Sequence, residues 1–501
     1  MSKSNSYSQI LKSSSLIAGS RGVSYVVGLL QTKVVAVLLG PSGMGLVGLY
    51  TSTLSMIQTF AGLGIGSSAV HEVATANGNG NAEEVAKATR ALRRLCWITG
   101  VLGWLLCIGL SWPLSQWTFQ SKAYAPAFMV MGATLLFSSI SGGQMGLIQG
   151  IRKIGDIAKI GIFSVLIQSF FAIGIYTWLG EKGVVPVIIG SSIFQLLVTW
   201  YYARRIEISK VDQTWRETLG IAKRLLSLGM LFMWSALLMA AVTFLVRGII
   251  VRELGLEANG YYHSARGISS VFAGFIIEAM MVDFYPRLME AAQDDGRIRQ
   301  LVNEQTEIGL LLALPGLLGS LTFAPWAMTI FYSSKFLAGA ELLPWFILGI
   351  YGRIISWPLA YILLAKGRRG WMVASDTACC LTTLALSYLL IMTVGLVGTA
   401  VAIPLSYLSY TIVLLVMTRK IVKFAWSESV LRVLFISMLL VVVSFASRWL
   451  LPVPTALVIG GGLTVAATLF SLRGIASRLD AEHRLVRFLN KIPVASYIIR
   501  Y

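Results

Sequence analysis

Apolar stretches long enough to cross a bilayer recur along the whole chain, parted by short connections that carry most of its cations. A helix needs about 20 such residues to span the hydrocarbon core. Fourteen stretches meet that length, near residues 14–39, 44–71, 93–114, 125–150, 156–179, 183–203, 224–250, 258–286, 305–331, 341–365, 370–394, 396–418, 429–448 and 452–473. In lipid every backbone N–H and C=O must find its partner within the protein, and runs of this length do so as helices. The expected fold class is an all-α polytopic membrane protein with about 14 transmembrane helices. Composition leaves little room for another class. Of all residues 56% are hydrophobic and 13% charged, against about 25% charged in a soluble protein.

The net charge of +19 invites a nucleic-acid reading, but the placement of the cations argues for no nucleic acid. With the N-terminus inside, 31 of 41 Lys and Arg fall in cytoplasmic segments. Five lie in outer loops (Lys122, Lys182, Arg252, Lys335 and Arg448) and five within spans. That asymmetry predicts cytoplasmic termini on both ends. Trp112, Trp117, Trp178 and Trp449 fall at outer ends, and Trp200, Tyr201 and Tyr202 at an inner end, as interfacial belts do. The first span follows Lys3 and Lys12 without a small-residue cleavage site and reads as uncleaved. Cys96, Cys107, Cys379 and Cys380 show no disulfide or zinc spacing. No Gly is followed by Lys, so there is no P-loop, and the short outer loops lack paired carboxylates and histidines. The expectation is a protein that is not an enzyme and uses no cofactor.

Leu38–Tyr50, LLGPSGMGLVGLY, reads as a tight loop joining two apolar helices. The construction recurs 215 residues later, where Gly255 and Gly260 match Gly40 and Gly45. LIQGIRK (Leu147–Lys153) resembles LLAKGRR (Leu363–Arg369), aligning Gly150 with Gly367 at an offset of 217, and Gly183 and Gly395 each open the following helix. Two six-helix halves of like orientation follow, related by an axis along the membrane normal. The expected organisation is an N-terminal bundle over 1–205, a cytoplasmic linker over 206–223 and a C-terminal bundle over 224–420. Two extra transmembrane helices over 421–473 and a basic cytoplasmic tail over 474–501 complete it.

The five intramembrane cations are Arg21, Lys33, Arg247, Arg266 and Arg353. A cation at the bilayer centre costs ~2.5–3.5 kcal/mol, so five in lipid would exceed the usual margin of a whole protein. They must be solvated or paired. Glu278, Asp283 and Asp376 are the acids at hand, and three acids leave two cations over. The surplus predicts one wet, cationic vestibule lined by all five, suited to an anionic ligand. Glu278 and Asp376 are the candidates for ion coupling, because burial raises a carboxyl pKa toward a useful range. The plain alternative is that they pair with Arg266 and Arg353 and hold helices together. His71 and His263 read as packing residues.

The GPSGMGLVG hairpin, the GLGIG run at Gly62–Gly66, the LIQGIRK turn and the doubled plan resemble one family. They are similar to polysaccharide-type members of the multidrug/oligosaccharidyl-lipid/polysaccharide (MOP) exporter superfamily, and within it to the Wzx-type O-antigen and lipid III translocases, over about residues 8–420. The resemblance implies a V-shaped, MATE-like pair of bundles and alternating access in the bacterial inner membrane. It implies a flippase carrying undecaprenyl-diphosphate-linked oligosaccharide, such as an O-antigen, common-antigen or exopolysaccharide unit, from the cytoplasmic to the periplasmic leaflet. A polysaccharide polymerase and a chain-length regulator are the implied partners. Many Wzx-type proteins look like twelve-span molecules, whereas the two further spans here match lipid II flippases of the MurJ type. A peptidoglycan-precursor flippase is therefore the alternative.

Other classes fit less well. A MATE-like exporter of cationic small molecules would want acids in its cavity, and here bases outnumber acids. A fourteen-span major-facilitator protein usually carries an Asp-Arg-x-Gly-Arg-like pattern between spans two and three, and residues 71–94 hold none. A membrane polymerase acting on the same lipids resembles its kind in having a large periplasmic loop, which this chain lacks.

Overall fold

The computed structural model describes residues 3–78, 80–209 and 211–478, with the side chains of 3–18, 66–68, 224–232, 273, 275–276, 278–283 and 449 outside the described set. Glu278, Asp283 and the basic tail beyond residue 478 thus lie outside the described residues. Every regular element among those described is helical. In order they are α1 (Lys3–Gly62), α2 (Ile65–Gly78), α3 (Ala82–Phe119), α4 (Ala125–Met131), α5 (Ala133–Gly150), α6 (Ile154–Leu179), α7 (Val184–Ala203) and α8 (Trp215–Glu290). Then come α9 (Asp295–Thr322), α10 (Ala324–Phe331), α11 (Leu343–Ala365), α12 (Arg369–Val394), α13 (Leu396–Val422), α14 (Glu428–Leu450) and α15 (Val453–Ala476).

Among the described residues ten helical stretches are long and apolar enough to cross a membrane, or 11 when α9 and α10, bent by 83°, count as one span. Three of them, Gly19–Gly62, Ile154–Ala203 and Met233–Phe272, each contain a positive-φ glycine: Gly40, Gly180 and Gly255. Divided there, the stretches are compatible with all fourteen expected spans.

Leu38–Tyr50 is not a loop. Only Gly40 leaves helical geometry (φ 65°, ψ −172°), as does Gly255 in α8 (φ 88°, ψ 174°). One glycine suffices because, lacking a Cβ, it takes positive φ at little cost. Pro41 then falls in the first turn of the next helical run, where its missing N–H breaks no bond. Residues 41–45 and 256–260 cross at van der Waals distance. A Cβ on Gly45 would lie 2.0 Å from the Leu256 carbonyl oxygen, and one on Gly260 would lie 1.9 Å from that of Pro41. The contact is reciprocal at the repeat offset, and the buried Asn259 seals it by donating from Nδ2 to the Gly45 carbonyl at 2.6 Å.

The same offset of 215 governs the other turns, which corrects the expected pairing of glycines. Arg152 (φ 57°) matches Gly367 (φ 66°), and the amides that follow, of Lys153 and Arg368, donate to Ile148 and Leu363 at 3.1 and 2.9 Å. Gly180 (φ 54°) matches Gly395 (φ 72°), their amides reaching Tyr176 and Ile391. Gly150 and Gly183 are therefore not the counterparts of Gly367 and Gly395. Alignment by glycine identity goes astray at the first turn because Arg152 holds the left-handed position there, and at the second because Gly183 lies three residues beyond Gly180, which holds it.

Contacts divide the chain into two compact units, Met1–Gly260 with Phe331–Ser333, and Tyr261–Ile330 with Ser334–Tyr501. In the first, α1 packs along α6, α3 along α5, and α5 along α7. The segment leading into α8 is fastened to α3. Thr214 and Glu217 form a reciprocal capping box, whose amide donation holds the Glu217 carboxyl below its ordinary range. The Arg94 guanidinium lies 4.7 Å over the Trp215 ring and donates to Thr218 at 2.8 Å.

In the second unit α9 and α11 form the core, with Leu310, Leu314, Leu318, Leu359 and Leu363 at most 1% exposed. The two extra helices are fastened to α9 at both ends. Arg448 donates to the carbonyls of Leu321 and Ala340 at 3.4 and 3.0 Å. At the other end the Glu307 carboxylate, 8% exposed, is met by Arg478 and by the Ser429 hydroxyl. Between them Gly460 passes so close to Thr322 that a Cβ would meet its Oγ1 at 2.5 Å. Glu307 was absent from the acids expected in the spans, and its pairing makes α14 and α15 part of the second unit's framework.

Candidate functional site

The site is built on α11, the most enclosed of the apolar spans. Ile350, Ile354, Leu359 and Ile362 are buried on its sides, and the exposed or half-buried positions include Arg353, Trp357 and Tyr361. Those three are spaced four residues apart and so share one stripe of the helix. An exposed guanidinium within a span does not face hydrocarbon. The stripe that carries Arg353 therefore faces water or a polar ligand.

Three neighbours complete the geometry within the second unit. Gly352 lets α13 approach until a Cβ there would lie 2.7 Å from the Tyr407 Cβ. The Tyr407 hydroxyl stands in the field of both Arg353 and Arg266, which brings two of the expected cations to one place. Arg266 is half-buried in α8 and donates to the Tyr262 hydroxyl at 3.1 Å. Among the described residues neither guanidinium lies within ion-pair distance of a carboxylate. Asp376 is half-buried on α12 and accepts from the Tyr410 hydroxyl at 2.7 Å, three residues along α13 from Tyr407. Below Arg353 the rings of Trp357 and Tyr361 lie 4.9 Å apart at 54°, and Tyr285 meets Tyr361 at 5.7 Å and 80°.

The first unit holds the other three cations. Arg21 is exposed and Lys33 half-buried, twelve residues along α1, hence ~18 Å apart on the helix axis. Arg247 is only 7% exposed. Beside them α1 is joined to α6 by Ser169 donating to Gln31 at 2.8 Å. A separate cavity of about 320 Å³ opens between α3, α5 and the break after α1, lined by Gln58, Thr59, Thr99, Ser138, Ser139 and Gly142 among others. Leu63 (φ 49°) and Gly64 (φ 70°) form that break. His71 is exposed.

Sequence reasoning named Arg266, Arg353 and Asp376 but not Tyr407, Tyr410 or the aromatic stripe. The spacing of 353, 357 and 361 was the available signal, yet it acquires meaning only once the burial of the rest of α11 is known.

The family model described as "Polysaccharide biosynthesis protein" matches residues 34–341. The Lipid III flippase of Escherichia coli (strain K12) is 23% identical over 421 residues, covering 80% of this chain and 96% of its own. Among solved structures, the inward-facing conformation of a multidrug resistance MATE family transporter of the MOP superfamily is similar at a TM-score of 0.66 and 17% identity, over 80% of this chain and 94% of its own. The lipid II flippase MurJ in an inward closed conformation follows at 0.65 and 14%, over 92% of this chain and 99% of its own. The fold is thus that of the MOP superfamily.

Proposed function

We propose that this chain, which belongs to the polysaccharide biosynthesis protein family, is a flippase for lipid-linked oligosaccharide and not an enzyme. Its substrate is an undecaprenyl-diphosphate-linked repeat unit, carried from the cytoplasmic to the periplasmic leaflet of the bacterial inner membrane. The observation that carries this reading is the placement of Arg266 and Arg353 about Tyr407 without a neutralising carboxylate among the described residues. Such a site holds a diphosphate and repels the cations a drug exporter would move. Arg21, Lys33 and Arg247 supply further positive charge to the same anion along its path. Because the five lie at different depths, the diphosphate is passed on and not trapped. A polysaccharide polymerase and a chain-length regulator would then receive the product.

Reconstitution tests the function directly. Proteoliposomes containing the chain should move a fluorescent undecaprenyl-diphosphate oligosaccharide between leaflets, and protein-free vesicles should not. Equal rates in the two would remove the flippase reading. Transport without a nucleotide site runs on an ion gradient or downhill, and Asp376 and Glu278 are the proposed coupling groups. Asp376→Asn and Glu278→Gln should each flatten the response of the rate to an imposed pH or sodium gradient. An unchanged response in both variants removes them from that role.

Both termini are proposed to be cytoplasmic, from the 31-to-five partition of cations. Reporter fusions at Lys122 and Lys335 should score periplasmic and one at Arg478 cytoplasmic. The opposite result at any of the three would overturn the fourteen-span topology.

A further inference from the structure

We infer that Trp357, Tyr361 and Tyr285 form an aromatic platform on which the sugar rings of the carried lipid pack, next to the cations that hold its diphosphate. The inference rests on the flippase reading and adds the residues that sense the glycan.

The platform continues the stripe of Arg353. At 1.5 Å per residue Trp357 lies ~6 Å and Tyr361 ~12 Å along the helix from the guanidinium, a span suited to the first sugars beyond a diphosphate. All three aromatic residues are half-buried. Their rings meet at 54° and 80°, and the buried Phe284 packs on Trp357 at 45° and on Tyr361 at 63°, so these contacts are tilted or edge-on and not parallel stacks. A pyranose offers a C–H face to an electron-rich ring and hydroxyls at its edge. Tyrosine and tryptophan answer both, with an apolar face and one polar atom. Asp376 stands within electrostatic reach of the Tyr361 hydroxyl, which adds an acceptor to the neighbourhood.

The internal repeat argues that these side chains do more than fill space. At the offset of 215 that relates Arg152 to Gly367, the counterparts of Arg353, Trp357 and Tyr361 are Ser138, Gly142 and Gly146 on α5. That helix forms and packs between α3 and α7 with small residues at all three positions. Two of them, Ser138 and Gly142, border the open cavity of the first unit. Helix packing in this fold therefore does not require a cation and two large rings there. The second unit holds them where the first leaves room.

The test compares two lipids on the full chain in nanodiscs. One is undecaprenyl diphosphate, and the other is the lipid-linked oligosaccharide extracted from cells lacking the gene. Wild type should bind the glycosylated lipid about tenfold more tightly, the equivalent of one good aromatic contact. Trp357→Ala and Tyr361→Ala should bring that ratio close to one while leaving the affinity for undecaprenyl diphosphate within about twofold. Trp357→Phe, which keeps a ring, should retain most of the preference, and Arg353→Gln should weaken both lipids alike. If wild type shows no preference for the glycosylated lipid, or Trp357→Ala keeps it or weakens both lipids equally, the platform is wrong and the flippase reading stands. If wild type binds neither lipid, the flippase reading fails and takes the platform with it.

Discussion

The double variant Arg266→Gln/Arg353→Gln is expected to reach the membrane in ordinary amounts and to carry no glycan lipid across it. Both side chains are half-buried or exposed, so their loss opens no cavity in the second unit's core. The cost falls on the ligand. One charge pair at 4 Å is worth ~4 kcal/mol at an effective dielectric near 20, before desolvation. A guanidinium adds two parallel hydrogen bonds to phosphate oxygens that glutamine cannot supply. Each single Gln variant should therefore lower transport at least about tenfold. Arg353→Lys should recover part of the rate, because the charge survives and the bidentate grip does not. Gln variants at Arg21 and Lys33 should lower transport with abundance intact. Arg247→Gln differs, since a residue 7% exposed supports its surroundings and its replacement should also reduce the amount of folded protein. The readouts are glycan at the cell surface and chain abundance on the same cells. Normal display from the double variant would show that the cations are structural.

Gly45→Ala and Gly260→Ala should each destabilise the chain by ~3 kcal/mol or more. The added methyl would lie 2.0 or 1.9 Å from a main-chain carbonyl oxygen of the crossing segment. No rotamer relieves a Cβ, so the segments must part, and parting them strains the 2.6 Å bond from Asn259 to the Gly45 carbonyl. Valine at either site should be worse than alanine. Gly109→Ala is the control, for a Cβ there has open space within 4 Å, and the exchange should gain ~0.5–1 kcal/mol from helix propensity. Thermal unfolding of the purified proteins reads all three. Equal melting of Gly260→Ala and wild type would mean that the two segments do not touch.

Much of this molecule is legible in its chain because the signals are local. A hydrophobic run of twenty residues states its own membrane span, since lipid offers the backbone no partner but itself. Gly40 and Gly255 mark their turns because few other residues accept a φ of 65° or 88°. Arg353 and Arg266 announce a polar surface because hydrocarbon rejects them. The limits of such reading show at Arg152, which takes a left-handed φ of 57° that its residue type does not advertise, and so shifts the apparent register of the repeat. They show again at Glu307, which looks like a surface acid near the end of a span until Arg478, 171 residues away, closes over it. The stripe of Arg353, Trp357 and Tyr361 is the clearest case. Its spacing is written in the sequence, but a helix has no outward face until α9 and α13 cover its other sides. Which side remains open depends on packing between segments far apart in the chain.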